Sequence, residues 1–329
     1  MGENLCVPSE VPNGIVENTM DQRLDVYVWD MDETLILLKS MLNGMYAEAF
    51  NGSKDAQIGA EIGKMWEKHI LDLCDNYFFY EQIENYNKPF LDALVRYDDG
   101  RDLSVYDFNQ DGFGPPSDDD NKRKLAYRHR DIAEKYEKGL RNLLDQETMK
   151  ILDELYNITD RYTDRWLSSA RAFLEQCSSG RKDAASSVAS ADGTIDSPVS
   201  RYQHVNVLVT SGSLIPSLVK CLLFRLDNII THGNGNDRSA ISSVYSSWEV
   251  GKLQCFQWIK DRFSQSNVRF CVIGDGMEEC EAAEAMRWPF VKIDLQPGSS
   301  HRFPGLTLRT VGYYLSVIYG SPDDETEED

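Results

Sequence analysis

Residues 26–36 read VYVWDMDETLI. Val26, Tyr27, Val28 and Trp29 are β-branched or aromatic, the composition of a short buried strand. The apolar run stops at Asp30, and Asp32 follows two residues later. A buried parallel strand that ends in a carboxylate delivers it into the crevice beyond its carboxyl end, where open α/β sheets bind ligands. Two acids at i and i+2 can face one cleft where the chain turns. Such a pair suits a hard cation such as magnesium, which takes oxygen ligands. It also suits a division of labour between a nucleophile and an acid/base. A strand followed by an acidic turn would carry the same residues, so function has to be argued from the rest of the chain.

Outward from this stretch, residues 1–24 are polar with two prolines and read as a flexible N-terminus. After Ile36 the pattern turns helical. Met41, Met45, Ala49 and Phe50, then Ile58, Ile62, Met65, Trp66 and Ile70, carry apolar faces at 3.6-residue spacing. Helical runs are predicted over 71–86, from about 124, and over 147–177. Together they make residues 40–177 an all-helical insertion after the first strand. Within it, DFNQDGFGPPSD from Asp107 to Asp118 has part of the spacing of a calcium loop. Gly114 stands where an apolar residue is needed, and two prolines interrupt it, so a polar loop is the expectation. Residues 178–200 are rich in Ser, Ala and Gly and read as a flexible linker.

The α/β pattern then returns. Val205 to Val209 is a strand ending in Thr210, Ser211 and Gly212. Val244 and Tyr245 form a short strand, and Glu249 opens a helix holding Lys252. Val268 to Ile273 ends in Gly274, Asp275 and Gly276, and Phe290 to Ile293 is a last strand. Strands alternating with helices imply a Rossmann-like parallel sheet covered on both faces. Residues 25–39 with 201–320 are its α/β core, and 321–329 an acidic tail.

Composition narrows the function. The 329 residues hold 54 acids against 34 bases, a formal charge of −20. Such a surface repels phosphates, which sets aside direct nucleic-acid binding. An anionic substrate therefore needs local positive charge in its site. The seven cysteines are scattered without a C-x-x-C pair and read as thiols in a reducing, intracellular compartment. No cysteine is followed six residues later by arginine, so the loop of cysteine-dependent phosphatases is missing. No apolar run has membrane-span length.

Four polar clusters fall just after a strand or in the turn that follows it: Asp30 with Asp32, Thr210 with Ser211, Lys252, and Asp275. Strand ends are neighbours in a parallel sheet. Phosphoryl transfer needs this set: nucleophile, acid/base, hydroxyl, fixed cation and a further carboxylate for magnesium. Singly, each has a plainer reading, as a helix cap, a surface lysine or a tight turn.

In this order the four motifs resemble those of the haloacid-dehalogenase superfamily of aspartate-dependent phosphohydrolases. VWDMDETLI, RKLAYRHR, VNVLVTSGSLIPSLVKCLLF, VYSSWEVGKLQCFQWI and VIGDGMEECEAAEAMRWPF more closely resemble the catalytic domain of the Eyes absent family, as does DLSVYDFNQDGF. A plant-type, stand-alone homologue is expected, because no long upstream activation region of the animal type precedes the motif. The resemblance implies a magnesium-dependent phosphatase acting on protein phosphotyrosine, with the helical insertion as a cap domain. Carried over, it makes Asp30 the nucleophile and Asp32 the acid/base. Magnesium is held by the Asp30 carboxylate, the Asp32 carbonyl and Asp275, and Lys252 neutralises phosphoryl charge. Ser211, or Thr210 one position away, contacts the phosphate. Glu278 and Glu279 orient magnesium-bound waters or favour the next helix N-terminus. A phenol leaves far more readily than an alkanol, so Asp32→Asn is expected to slow hydrolysis of the covalent intermediate more than its formation. The family also implies a transcription-factor partner and a nuclear or cytoplasmic location. Two other readings fit the same residues: a phosphatase of a small phosphometabolite, and a transcriptional cofactor or scaffold on this fold. The run SGS after Thr210 and the long, low-complexity segment 178–200 depart from the animal pattern.

Overall fold

β1 (Arg23–Trp29) runs through the middle of a five-stranded sheet, and every pairing in that sheet is parallel. The structure is a computed structural model that describes residues 23–179, 202–230, 243–264 and 267–320. The expected N-terminal lead-in through residue 22, nearly all of the linker, and the acidic tail lie outside the described residues. β1 is flanked by β2 (Tyr202–Thr210) and β4 (Val268–Gly274), with β3 (Val244–Ser246) and β5 (Phe290–Lys292) at the edges. The order β3-β2-β1-β4-β5 reverses direction at β1. The crevice beyond the carboxyl end of β1 is therefore the topological switch point, where this sheet type takes ligands.

The side-chain alternation of β1 explains why both faces are covered. Tyr27 and Trp29 point into one buried cluster, and Leu24, Val26 and Val28 into another. The second cluster is closed by the helices Lys252–Arg262 and Met277–Met286. The first is closed by the helices Leu214–Leu223 and Leu308–Tyr319 and by the insertion.

Among the described residues the insertion between β1 and β2 is helical, with its longest helix at Ala56–Tyr77. Its apolar residues form one continuous cluster with Tyr27 and Trp29 of β1. Its last helix, Trp166–Ser179, packs along β2, where Asn206 Nδ2 donates to the Leu174 carbonyl and Phe173 meets Trp29 edge-on. The segment around Phe90 reaches the opposite face, where its ring lies against Tyr245 and Trp258.

Two long helical runs differ from expectation. The run 147–177 is two helices, Gln146–Tyr162 and Trp166–Ser179, because Asp164 and Arg165 take positive φ. The run through residue 86 is broken after Tyr77, with Phe79 also at positive φ, and resumes as short helices at Tyr80–Ile83 and Glu84–Tyr86. Apolar spacing continues across both breaks, so periodicity alone hides them. The helix expected to open at Glu249 begins at Lys252, after Gly251 at φ 79°.

The calcium-like segment is a loop whose acids have protein partners. Asp107 accepts from the Asn109 N–H, and Asp118 caps the helix Asp119–Lys138. Asp111 forms a two-pronged pair with Arg128 at 2.8 and 3.2 Å. A guanidinium thus stands against the central acid. No group of three or more His, Cys, Asp or Glu arranged to hold a metal occurs among the described residues. No described helix is long and apolar enough to cross a membrane.

Candidate active site

Asp30 follows the last residue of β1, and its N–H still bonds to the Ile273 carbonyl of β4. The sheet therefore fixes where the carboxylate goes. It is buried at 5% exposure. Its Oδ1 accepts from Lys252 Nζ at 2.5 Å and its Oδ2 from the Thr34 hydroxyl at 3.1 Å. Beyond it the chain folds tightly back, with the Leu35 and Ile36 N–H groups on the Met31 carbonyl and Glu33 at φ 63°. The Glu33 carboxylate accepts from the Lys39 and Ser40 N–H groups, tying the turn to the insertion.

Lys252 is buried at the first position of its helix, at 4% exposure. Its ammonium lies between Asp30 and Glu279 and forms an ion pair with each. Glu279 is also buried, and its Oε2 has no hydrogen-bond partner among the described residues. The glycines on either side of Asp275 make room for this carboxylate. A Cβ on Gly276 would lie 2.5 Å from Glu279 Oε2, and one on Gly274 would lie 2.9 Å from Glu279 Cγ and 3.2 Å from Asp30 Cβ. Neither glycine takes a positive φ. They are there for close approach, not for a left-handed turn.

Asp275 comes to the same place from the end of β4. The Thr34 hydroxyl lies 3.2 Å from its Oδ1 and 3.1 Å from Asp30 Oδ2. One hydroxyl has one proton, so it can donate to only one of these carboxylates at a time. Burial pushes Asp30 up to about 6 against the pull of Lys252, and Asp275 and Asp32 add to the rise. Burial likewise raises Asp275. Asp30, Asp275 and Glu279 thus face one ammonium. This excess of buried acid, with two carboxylates on one hydroxyl, fits a bound divalent cation. Magnesium needs few carboxylates, because it keeps several waters.

Asp32 turns toward a different partner. Both its oxygens accept from Lys220 Nζ, at 2.7 and 3.0 Å. Of the two candidate phosphate hydroxyls, Thr210 is fully buried and accepts from the Gly212 N–H at 3.1 Å. Ser211 is exposed, and its hydroxyl donates to Glu278 at 3.2 Å. Glu278 is thus on the rim and Glu279 inside.

Three residues to which the motifs assign no role complete the constellation. Thr34 links two acids, Lys220 holds Asp32, and Asn87 caps a helix across the chain. Ser213 precedes the helix Leu214–Leu223 without giving it a side-chain cap. Asn87 Oδ1 takes the Leu214 N–H instead, at 2.8 Å. Asn87 also bonds Ser246, whose hydroxyl donates to the Gly212 carbonyl. The sequence signal for Lys220 is a lysine inside the largely apolar run LIPSLVKCLL; Asn87 has no local signal.

No family model matches the chain. The chain is 63% identical over 309 residues to a protein phosphatase EYA of Arabidopsis thaliana, covering 94% of this chain and 95% of that protein. It belongs to the Eyes absent (EYA) family of protein phosphatases. Protein phosphatase EYA2 of Homo sapiens is 32% identical over 82% of this chain and 47% of its own length. Protein phosphatase eya of Drosophila melanogaster is 32% identical over 82% of this chain and 33% of its own length. The EYA resemblance of the motifs is thereby borne out, and the plant relative matches across nearly its whole length.

Proposed function

We propose that this EYA chain is a magnesium-dependent protein tyrosine phosphatase of haloacid-dehalogenase type, with the helical insertion as its cap. The observation that carries the reading is the buried Lys252 ammonium, 2.5 Å from Asp30 Oδ1 at the end of the central strand. A lysine held there screens the carboxylate so that a phosphoryl dianion can approach it. Magnesium, held by the Asp30 carboxylate, the Asp32 carbonyl and Asp275, would supply the remaining positive charge.

Asp30 attacks phosphorus, and the bond to the tyrosyl oxygen breaks as Asp32 gives that oxygen a proton. The product is an acyl phosphate on Asp30. Water then attacks the same phosphorus and loses a proton to Asp32. The Asp30–phosphorus bond breaks, releasing phosphate and restoring both side chains. Lys252 holds Asp30 in line throughout, and Glu279 holds Lys252. The hydroxyl of Ser211 or Thr210 steadies a phosphoryl oxygen.

The test is phosphate release from phosphotyrosine peptides, phosphoserine peptides and sugar phosphates, with magnesium and with EDTA, by wild type and Asp30→Asn. Release that needs magnesium and Asp30 and favours phosphotyrosine is the expected result. A preference for sugar phosphates would make the substrate a small phosphometabolite. No release above the Asp30→Asn background would leave a binding protein on a phosphatase fold, with a transcription factor as the partner to seek.

A further inference from the structure

Lys220 sits on the buried helix Leu214–Leu223, between the fully buried Val219 and Cys221. A lysine in such a run can keep its stem among apolar neighbours while its ammonium reaches a polar site. Here the side chain is 15% exposed, and the only ion-pair partner shown for it among the described residues is Asp32. The contact is two-pronged, to both carboxylate oxygens. The long insertion helix Ala56–Tyr77 packs against the lysine's helix. On its other side Asp32 adjoins the loop after β2, where a Cβ on Gly212 would lie 3.9 Å from Asp32 Oδ2.

These contacts matter because Asp32 is far more open than the two buried acids beside it, Asp30 and Glu279. Its side chain is 36% exposed, against 6% for Asp30 and 7% for Glu279. A half-open carboxylate samples several rotamers unless something fixes it. We propose that Lys220 is a positioning residue for Asp32, holding its carboxylate in the one orientation from which it takes the proton of the water that hydrolyses the covalent intermediate. The inference rests on the phosphatase reading above and names the group that orients its acid/base. In the hydrolytic step the water oxygen bonds to phosphorus, its proton passes to Asp32, and the Asp30–phosphorus bond breaks to leave a carboxylate and free phosphate. Lys220 takes no part in bond making. Each Asp32 oxygen has two lone pairs, so one on each stays available for the water while Lys220 holds the other. Intermediate formation from an aryl phosphate asks less of Asp32, since a phenol is a good leaving group.

The test is rapid-quench measurement of acyl-phosphate formation and breakdown with a labelled phosphotyrosine peptide. It compares wild type, Lys220→Met, Lys220→Arg and Asp32→Asn. Lys220→Met should form the phosphoenzyme within about threefold of the wild-type rate and break it down at least about tenfold more slowly. Phosphoenzyme should therefore accumulate, as in Asp32→Asn, with kcat and KM falling together and kcat/KM within about threefold of wild type. Lys220→Arg should recover most of the breakdown rate, because it restores a two-pronged donor. Breakdown at the wild-type rate in Lys220→Met would overturn the inference. So would a parallel fall in formation, breakdown and Tm that Lys220→Arg does not reverse. A wild-type protein that forms no phosphoenzyme and releases no phosphate would instead overturn the phosphatase reading, and the inference with it.

Discussion

Lys252 at the strand ends and Arg128 in the insertion each bury a positive charge against carboxylates, at 4% and 1% exposure. Arg128 is fully matched. Its guanidinium takes both oxygens of Asp111, the Gln82 side chain, and the carbonyls of Phe108 and Lys124, with the Phe113 ring 4.2 Å away. Burial tends to raise Asp111. The hydrogen bonds and charge of Arg128, the Phe113 N–H and the Tyr106 hydroxyl outweigh it and hold the carboxyl below the usual range. Lys252 is outnumbered. Asp30 and Glu279 both pair with it, Asp275 adds a third carboxylate nearby, and Asp30 sits above its usual range. The matched pair holds a loop in shape. The unmatched one leaves buried acid that a cation and then a phosphoryl group can use.

Removing each cation separates these roles most sharply. Arg128→Met strands Asp111 in the insertion and should cost about 3–5 kcal/mol of stability. Activity per folded molecule should remain close to wild type. Lys252→Met should lower kcat by at least about 100-fold, because a placed charge on the transferring group is lost. It should cost less stability than Arg128→Met, since Asp30 can take up a proton in response. Urea unfolding with parallel assays decides. Equal stability losses would mean that the two cations play the same structural part.

Acid should act on the two regions in opposite directions, with effects of about 3 kcal/mol at most. His129, in the insertion helix beside Arg128, is buried and neutral, with Nδ1 3.0 Å from the Leu91 carbonyl. Burial pushes it down to about 4, so the unfolded chain binds this proton first. Its contribution to stability therefore falls as pH drops from about 6.5 toward 4. Asp30 behaves in reverse. With a folded value of about 6, it is protonated in the folded state first. Its contribution rises as pH falls from 6 toward the ordinary carboxylate range. In EDTA, Asp30→Asn should make the loss of stability between pH 7 and 4.5 steeper, and His129→Asn should make it shallower. Urea midpoints at both pH values test this; slopes unchanged in both variants would contradict it.

The difference between the regions also explains what could be read from sequence. Asp30, Asp32 and Asp275 were legible because a parallel strand couples local sequence to place: an apolar run ends, and the polar residues that follow enter the crevice. Lys252 was legible through the turn and helix that follow β3. The acids at 107–118 were legible as half of an ion-binding loop. The cation facing Asp111 is a side chain 17 residues further on, which no local spacing encodes. Choosing Glu279 over Glu278 as the partner of Lys252 needs the start of a helix to within one residue. The contacts of Lys220 with Asp32 and of Asn87 with Leu214 span 188 and 127 residues. The first joins two distant parts of the α/β core and the second joins the insertion to it, and neither periodicity nor motif spacing contains such pairings.

Asn87 gives the smallest effect and the finest test of how the two regions are joined. It closes the N-terminus of Leu214–Leu223 from the insertion, in place of a local cap, and through Ser246 it braces the Gly212 carbonyl. Losing a side-chain cap typically costs about 1 kcal/mol. Asn87→Ala should therefore destabilise the chain by about that much. Asn87→Asp keeps the acceptor for the Leu214 N–H but loses the donor to Ser246, so it should recover most of the stability. If the brace also steadies the loop at 211–213, both variants should raise KM for a phosphotyrosine peptide by about two- to threefold with kcat nearly unchanged, since the role proposed for this loop is to hold phosphoryl oxygens and not to move the proton. A stability loss in Asn87→Ala with KM unchanged in both variants would confine Asn87 to folding. Unchanged stability would mean that the insertion does not support the sheet at this point.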